Sequence, residues 1–358
     1  MKTNKSILIL FLLSFSLFLT NCKKDEPQDE ESEKPTYTIK NNGNAGVSSI
    51  LDTEDTVAPQ IVQSIPSVDG GTYPKTTPII MFLNDKVYLN SIEDNIEVKY
   101  AVKSENKEQL IGGTVIINES ANGYAILSFL PYVPFEANKQ VIFTLSKGLQ
   151  DDGGNNFLND YVLTFSTTTN NSGNFDGNES FENGLSGVYF EGDGAIMQGA
   201  QGCVSATSGS HFCAITSGSN LISNGSAIGG TTSLVTLGPI DQELSSISFD
   251  YNFLSTEFQE YVGSEFDDTF MVIIFGTDGA HTEFITSVNT VGTEGNTECS
   301  DFPGIPDDGD SYAGSTGWLE KTISFDNVGK PSYIIFTVTD VADDIFSSVA
   351  AIDNISLN

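Results

Sequence analysis

The chain has 358 residues, room for two domains of ordinary size, and carries 48 Asp and Glu against 15 Lys and Arg, a net charge of −33. A field of that sign repels phosphate backbones and excludes nucleic acid as a partner, while admitting cations, neutral glycans and basic proteins. Abundant Gly, Thr, Ser and Asn between short apolar runs argue against a helical bundle and for an all-β extracellular architecture.

Residues 1–21 read as a signal peptide. Lys2 and Lys5 give a basic start, and Ile7 to Leu19 an apolar run too short to span a bilayer. The leader ends Leu19-Thr20-Asn21-Cys22, which resembles the lipobox of bacterial lipoproteins, although Asn21 departs from the usual small residue before the cysteine. The resemblance implies cleavage before Cys22 and lipidation of its thiol, hence anchoring to the membrane. Residues 22–56 open with CKKDEPQDEESEK and show no periodicity, the composition of a disordered acidic tether. Asp25, Glu26, Asp29, Glu30 and Glu31 resemble an export signal to the exposed face of the outer membrane, so the expected location is an outer-membrane lipoprotein on the cell surface.

Residues 57–168 hold about seven short strand-like segments at sandwich spacing, among them TPIIMFLNDKV, GGTVIIN, YAILSFLP and QVIFTLSKG. Ser64-Ile65-Pro66 with Asp69-Gly70, and Asp151-Asp152-Gly153-Gly154-Asn155 before the last strand, resemble the bacterial Ig-like domain of S-layer and other surface proteins. The Asp-Gly-Gly-Asn cluster reads as a tight turn in preference to a metal loop. Such domains usually act as spacers. TTTNNSG, from Thr167 to Gly173, has linker composition.

Residues 174–358 read as a second, larger β-sandwich. At its centre, Ile247, Phe249, Tyr251 and Phe253 alternate with Ser248, Asp250 and Asn252, the pattern of a strand buried on one face. The run Phe270 to Phe275 is apolar throughout, the pattern of a strand buried on both. Ser180-Phe181-Glu182, Ser248-Phe249-Asp250-Tyr251, Gly317-Trp318 and Ile352-Asp353-Asn354-Ile355 resemble extracellular jelly-rolls of the carbohydrate-binding-module, MAM-like or choice-of-anchor type. The fold class expected is therefore all-β, an Ig-like sandwich followed by a jelly-roll.

The jelly-roll resemblance implies a structural Ca²⁺ between the first and last strands, with Glu182 and Asp353 as ligands and Asn354 beside them. The loop holding Glu257, Glu260, Glu265, Asp267 and Asp268 is a second metal or ligand candidate, because so much negative charge repels itself unless solvated or neutralised. Asp340, Asp343 and Asp344 come from another strand end that is a candidate to face it. Cys203 and Cys213 are the expected disulfide, with Cys299 left over, although pairing of Cys299 with either stays open. Trp318, the single tryptophan, is a candidate to stack on a sugar ring, against the alternative of core packing.

Catalytic signatures are weak. His211 and His281 have no HExxH context, no G-x-S-x-G elbow or phosphate loop is present, and Ser104-Glu105-Asn106-Lys107 matches S-x-x-K without its companion motifs. The expected function is non-catalytic recognition or adhesion at the cell surface, with a glycan or a surface protein as partner. The alternatives are a polysaccharide hydrolase using acidic-loop carboxylates and a structural surface-layer component.

Overall fold

A computed structural model describes residues 36–41, 47–48, 54–66, 71–75, 77–101, 109–119, 125–168, 175–218, 232–299, 301–303, 313–326, 328–330, 332–341 and 346–358. The leader, Cys22, the acidic export run, most of the linker, Asp343 and Asp344 lie outside the described residues. Four principal sheets stack in two sandwiches, so the chain is all-β as its patterning requires.

In the first sandwich, sheet I has the order Thr72–Pro74, Tyr161–Thr168, Gln140–Leu145, Ile96–Tyr100, Gln109–Leu110. Sheet II has the order Tyr37–Asn41, Gly113–Glu119, Ala125–Pro131, Ile79–Leu83, Ile61–Ile65. Between them lies a core containing Phe129, Phe135, Phe143 and Phe165. Tyr37–Asn41 corrects the expected extent of the tether, which was to run to residue 56. This strand pairs in parallel with Gly113–Glu119 along its whole length. The buried Tyr37 ring meets Phe129 edge-on at 6.1 Å, an anchor that a solvated spacer lacks.

In the second sandwich, sheet III has the order Val188–Glu191, Thr232–Ile240, Ser332–Thr339, Thr269–Phe275, Ala280–Ser287. Sheet IV runs Asp193–Gln198, His211–Thr216, Ser348–Leu357, Ser246–Ser255, with Leu319–Ser324 and Gly314–Ser315 both paired to Ser246–Ser255 and Thr297–Glu298 at the edge. The alternating residues Ile247, Phe249, Tyr251 and Phe253 point into the core between these sheets, where Phe249 meets Phe336 at 4.9 Å.

The Phe270–Phe275 run is buried on both faces because the sandwiches stack on each other. Phe270, Val272 and Ile274 face sheet IV, whereas Ile273 and Phe275 face the first sandwich. There they join Leu234, Tyr333 and Ile335 against Ile80, Phe82, Ile116, Ile126 and Leu130 of sheet II. Burying one such side chain contributes on the order of 1.5–3 kcal/mol. An interface of this size and apolarity joins the sandwiches, in contrast to the mobile junction that a spacer with a flexible linker implies. Its rim is polar: Lys40 Nζ donates to Thr277 O at 2.6 Å and to Asp278 Oδ1 at 3.2 Å, and Asn118 Nδ2 donates to Thr282 Oγ1.

Candidate functional site

The acidic connection runs from Ser255, at the end of a sheet IV strand, to Thr269, where a sheet III strand begins, and so crosses one end of the second sandwich. It folds around apolar side chains of its own. Phe258 is buried against Phe253, and Tyr261 sits between Phe266 at 5.6 Å and Phe346 at 5.1 Å. Asn289 clamps the loop by accepting from Gly263 N and donating to Ser264 O at 3.1 Å.

This folding sorts the carboxylates. Glu257 and Asp268 are fully buried and Asp340 nearly so. Asp268 Oδ1 accepts from Val341 N at 2.9 Å and Oδ2 from Ser217 Oγ at 3.3 Å, which brings the Asp340 strand end against the loop. Asp267 accepts from Asn289 N at 2.7 Å. Glu260 and Glu265 remain exposed. The repulsion evident in the sequence is thus reduced by spreading the acids between interior donors and solvent.

Glu182 and Asp353 both grip the segment 207–211, one from each end. Asp353 is fully buried on the last strand; its Oδ2 accepts from Thr207 N at 2.7 Å, Thr207 Oγ1 at 3.1 Å and Ser208 N at 2.9 Å. Its Oδ1 accepts from Asn354 N at 2.7 Å. Burial raises the Asp353 pKa, against the lowering effect of these donors. Glu182 Oε1 accepts from Ser210 N and, at 2.8 Å, from His211 N, while Oε2 meets Ser210 Oγ at 3.0 Å and His211 Nδ1 at 2.9 Å. The Ser210 amide, followed by the His211 ring, holds the Glu182 carboxyl down to about 2. Asn354 lies in the left-handed region and donates from Nδ2 to Asp250 Oδ2 at 3.2 Å, so it fixes a strand irregularity.

Calcium takes six to eight oxygen lone pairs. Every partner named for the Glu182 and Asp353 oxygens is an N–H or O–H donor except the His211 ring nitrogen, whose role depends on its tautomer. These residues, as placed, do not fit a calcium ion.

The expected Cys203–Cys213 bridge is corrected by a Cys203–Cys299 disulfide, with Cα atoms 5.5 Å apart. Along the strand His211–Thr216, Phe212 and Ala214 face outward from sheet IV while Cys213 and Ile215 face the core. Cys203 lies over the outer face, so the sheet separates it from Cys213, a buried free thiol whose pKa burial pushes well up. The bridge staples a cap onto that face. Val204, Cys299, Phe302 and Ala313 cover Phe212, Leu254, Val349 and Ala351. Gly202 has φ of +56°, and a Cβ there would come within 2.5 Å of the Asp301 backbone, so the cap closes only around glycine. Trp318 belongs to this cap: its Nε1 donates to Ser205 O at 2.8 Å and its ring meets Phe212 edge-on at 6.0 Å. It is half-buried, with its polar tip engaged.

One cluster escaped the sequence reading. Asp55, Asp85 and Asp152 of the first sandwich bring one carboxylate oxygen each within 4.8 Å of one another, the only such group among the described residues. Burial raises the Asp85 pKa, and the charges of Asp55 and Asp152 add to it. The legible signal was Asp151-Asp152-Gly153-Gly154-Asn155, where Asn155 N and Nδ2 bond Asp151 at 2.7 and 3.1 Å. Asn155 Nδ2 also reaches Asp55 O at 3.3 Å. What sequence spacing does not carry is the approach of Asp55 and Asp85.

Residues 55–167 match the bacterial Ig-like domain family. No curated protein matches the chain. Among solved structures, the chain is similar to the carbohydrate-binding module TmCBM61 in complex with β-1,4-galactotriose, at 10% identity and a TM-score of 0.30, covering 52% of this chain and 97% of that one. It is also similar to a carbohydrate-binding module of the β-sandwich superfamily described as promiscuous in specificity, at 13% identity and a TM-score of 0.29, covering 85% and 99%. The N-terminal part of the bacterial S-layer protein SbsC is similar at 13% identity and a TM-score of 0.23, covering 51% and 40%. Likenesses this distant say nothing about a ligand.

Proposed function

We propose that this is a non-catalytic recognition or adhesion protein of the cell surface, held to the membrane through a lipidated Cys22, that meets its ligand at the carboxylate-bearing end of its second sandwich. The supporting observation is that the apolar part of each broad face of that sandwich is covered, one by the first sandwich and the other by the disulfide-stapled cap. Binding on those apolar parts would need one of the covers removed. The end crossed by the acidic connection presents Glu260 and Glu265 to solvent on a folded support, and carboxylates there accept hydrogen bonds from sugar hydroxyls. The net charge favours a neutral glycan over a polyanionic one.

A hydrolase using this loop would need two carboxylates lining one open cleft. Glu257 and Asp268 are fully buried and Asp267 is bonded to Asn289 N, which is poor geometry for that reading. A structural surface-layer role is a second reading, favoured by the apolar junction that joins the two sandwiches.

A neutral-glycan array probed with the purified chain, with reducing-sugar release measured in parallel, separates these readings. Recognition gives binding without release, weakened about tenfold, or 1.4 kcal/mol, by Glu260→Ala combined with Glu265→Ala. Sugar release abolished by the same pair would contradict it. Self-association of the chain without glycan binding would favour the structural role.

A further inference from the structure

We propose that the segment 207–211 takes the place of a metal ion in the second sandwich, tying the start of that sandwich to its last strand through direct hydrogen bonds to Glu182 and Asp353. The two carboxylates flank the segment. Thr207 and Ser208 donate to Asp353 on the last strand, and Ser210 and His211 to Glu182 in the turn that opens the sandwich. Four of the five amides of the strap, all but that of Gly209, therefore end on carboxylate oxygens, which makes each bond charge-assisted. A cation between the same acids would need carbonyl oxygens turned toward it; here the strap turns its N–H groups that way instead.

Gly209 explains why the strap can sit so close. Its φ is +70°, and a Cβ at that position would lie 2.3 Å from Glu182 Oε1. Glycine is thus required both by the backbone conformation and by the approach of the carboxylate. The neighbouring backbone completes the closure, since Ile355 N donates to Glu179 O at 3.0 Å. An Asp353 buried at the sheet with a cation absent would be costly unless donors met it, and three of the donors that meet it come from backbone N–H groups fixed by the strap and by Asn354.

The test is amide hydrogen exchange on the full chain, in chelator and in millimolar calcium chloride. The expected result is that the Thr207, Ser208, Ser210 and His211 amides exchange about 100-fold or more slowly than free amides in chelator, with no change relative to the Phe249 amide on adding calcium. Calcium bound elsewhere would slow these four amides no more than the Phe249 amide, so the readout is the change at the strap relative to Phe249. Free exchange of the four amides in chelator, or protection that changes on adding calcium at the strap but not at Phe249, overturns the proposal. Gly209→Ala supplies a second check that leaves Asp353 intact: it should raise exchange at the same four amides while the Phe249 amide stays protected. Unchanged protection of the strap in that variant also overturns it.

Discussion

The two covers of the second sandwich differ in kind. Sheet III is covered by another folded body, through long aliphatic and aromatic side chains contributed by two independent sheets. Sheet IV is covered in part by short segments with little regular structure, whose own apolar contribution is Val204, Phe302 and Ala313 beside the bridged Cys299. The first cover holds through apolar contact with a polar rim and no disulfide. The second adds a covalent link spanning 96 residues, which restricts the unfolded chain more than a short loop would. A sheet face is therefore closed either by enough hydrophobic surface or by a smaller surface with a staple.

The largest effect should come from the first cover. Phe275→Ala is expected to destabilise the chain by about 3–5 kcal/mol in urea titration, with both sandwiches losing structure together. Loss confined to one sandwich would mean that the two fold as separate bodies. Cys299→Ser should cost about 2–4 kcal/mol and should act first at the cap, shifting Trp318 emission to the red before the core signals change. An unshifted Trp318 would mean that packing on Phe212 holds the cap unaided.

Smaller effects lie in the carboxylates. The folded Glu182 pKa of about 2 lies below its ordinary 4.5, so its contribution is present above about pH 4.5 and is lost as pH falls through about 2. Wild type and Glu182→Gln should accordingly differ in melting temperature at pH 6 and converge near pH 2; parallel pH profiles would contradict this. Asp85 has the opposite sign: a raised folded pKa favours stability at low pH, and that advantage is lost as pH rises through it. Asp85→Asn should raise the melting temperature at pH 7 by about 1–2 °C. A fall would mean that the charged form of Asp85 is needed where it stands.

What the sequence disclosed follows from the range of each signal. The alternation of Ile247 to Phe253 and the unbroken run of Phe270 to Phe275 are local, and both gave the correct burial. The cover on the far side of Ile273 and Phe275 comes from Ile80, Ile116 and Ile126, far away in the chain, so no local pattern names it. A hint existed, since Ile79–Leu83 is also apolar throughout and two doubly buried runs can bury each other. Closeness in sequence favours Cys203 with Cys213, whereas alternation along the strand favours Cys203 with Cys299, and alternation is the stronger constraint. In HFCAI the outward Phe212 sets Cys213 inward, away from Cys203. The acidic cluster was visible as composition, but which of its members are buried depends on Phe258, Tyr261 and Phe346 folding the loop.

The stacked sheets form one body, which leaves the end of the second sandwich open to a ligand. Native-state hydrogen exchange of the full chain in rising urea tests this directly, through the core amides of Phe143 in sheet I and Phe249 in sheet IV. One shared opening free energy and one shared urea dependence are expected for both. Two separate isotherms, with the Phe249 core opening while the Phe143 core stays closed, would contradict it.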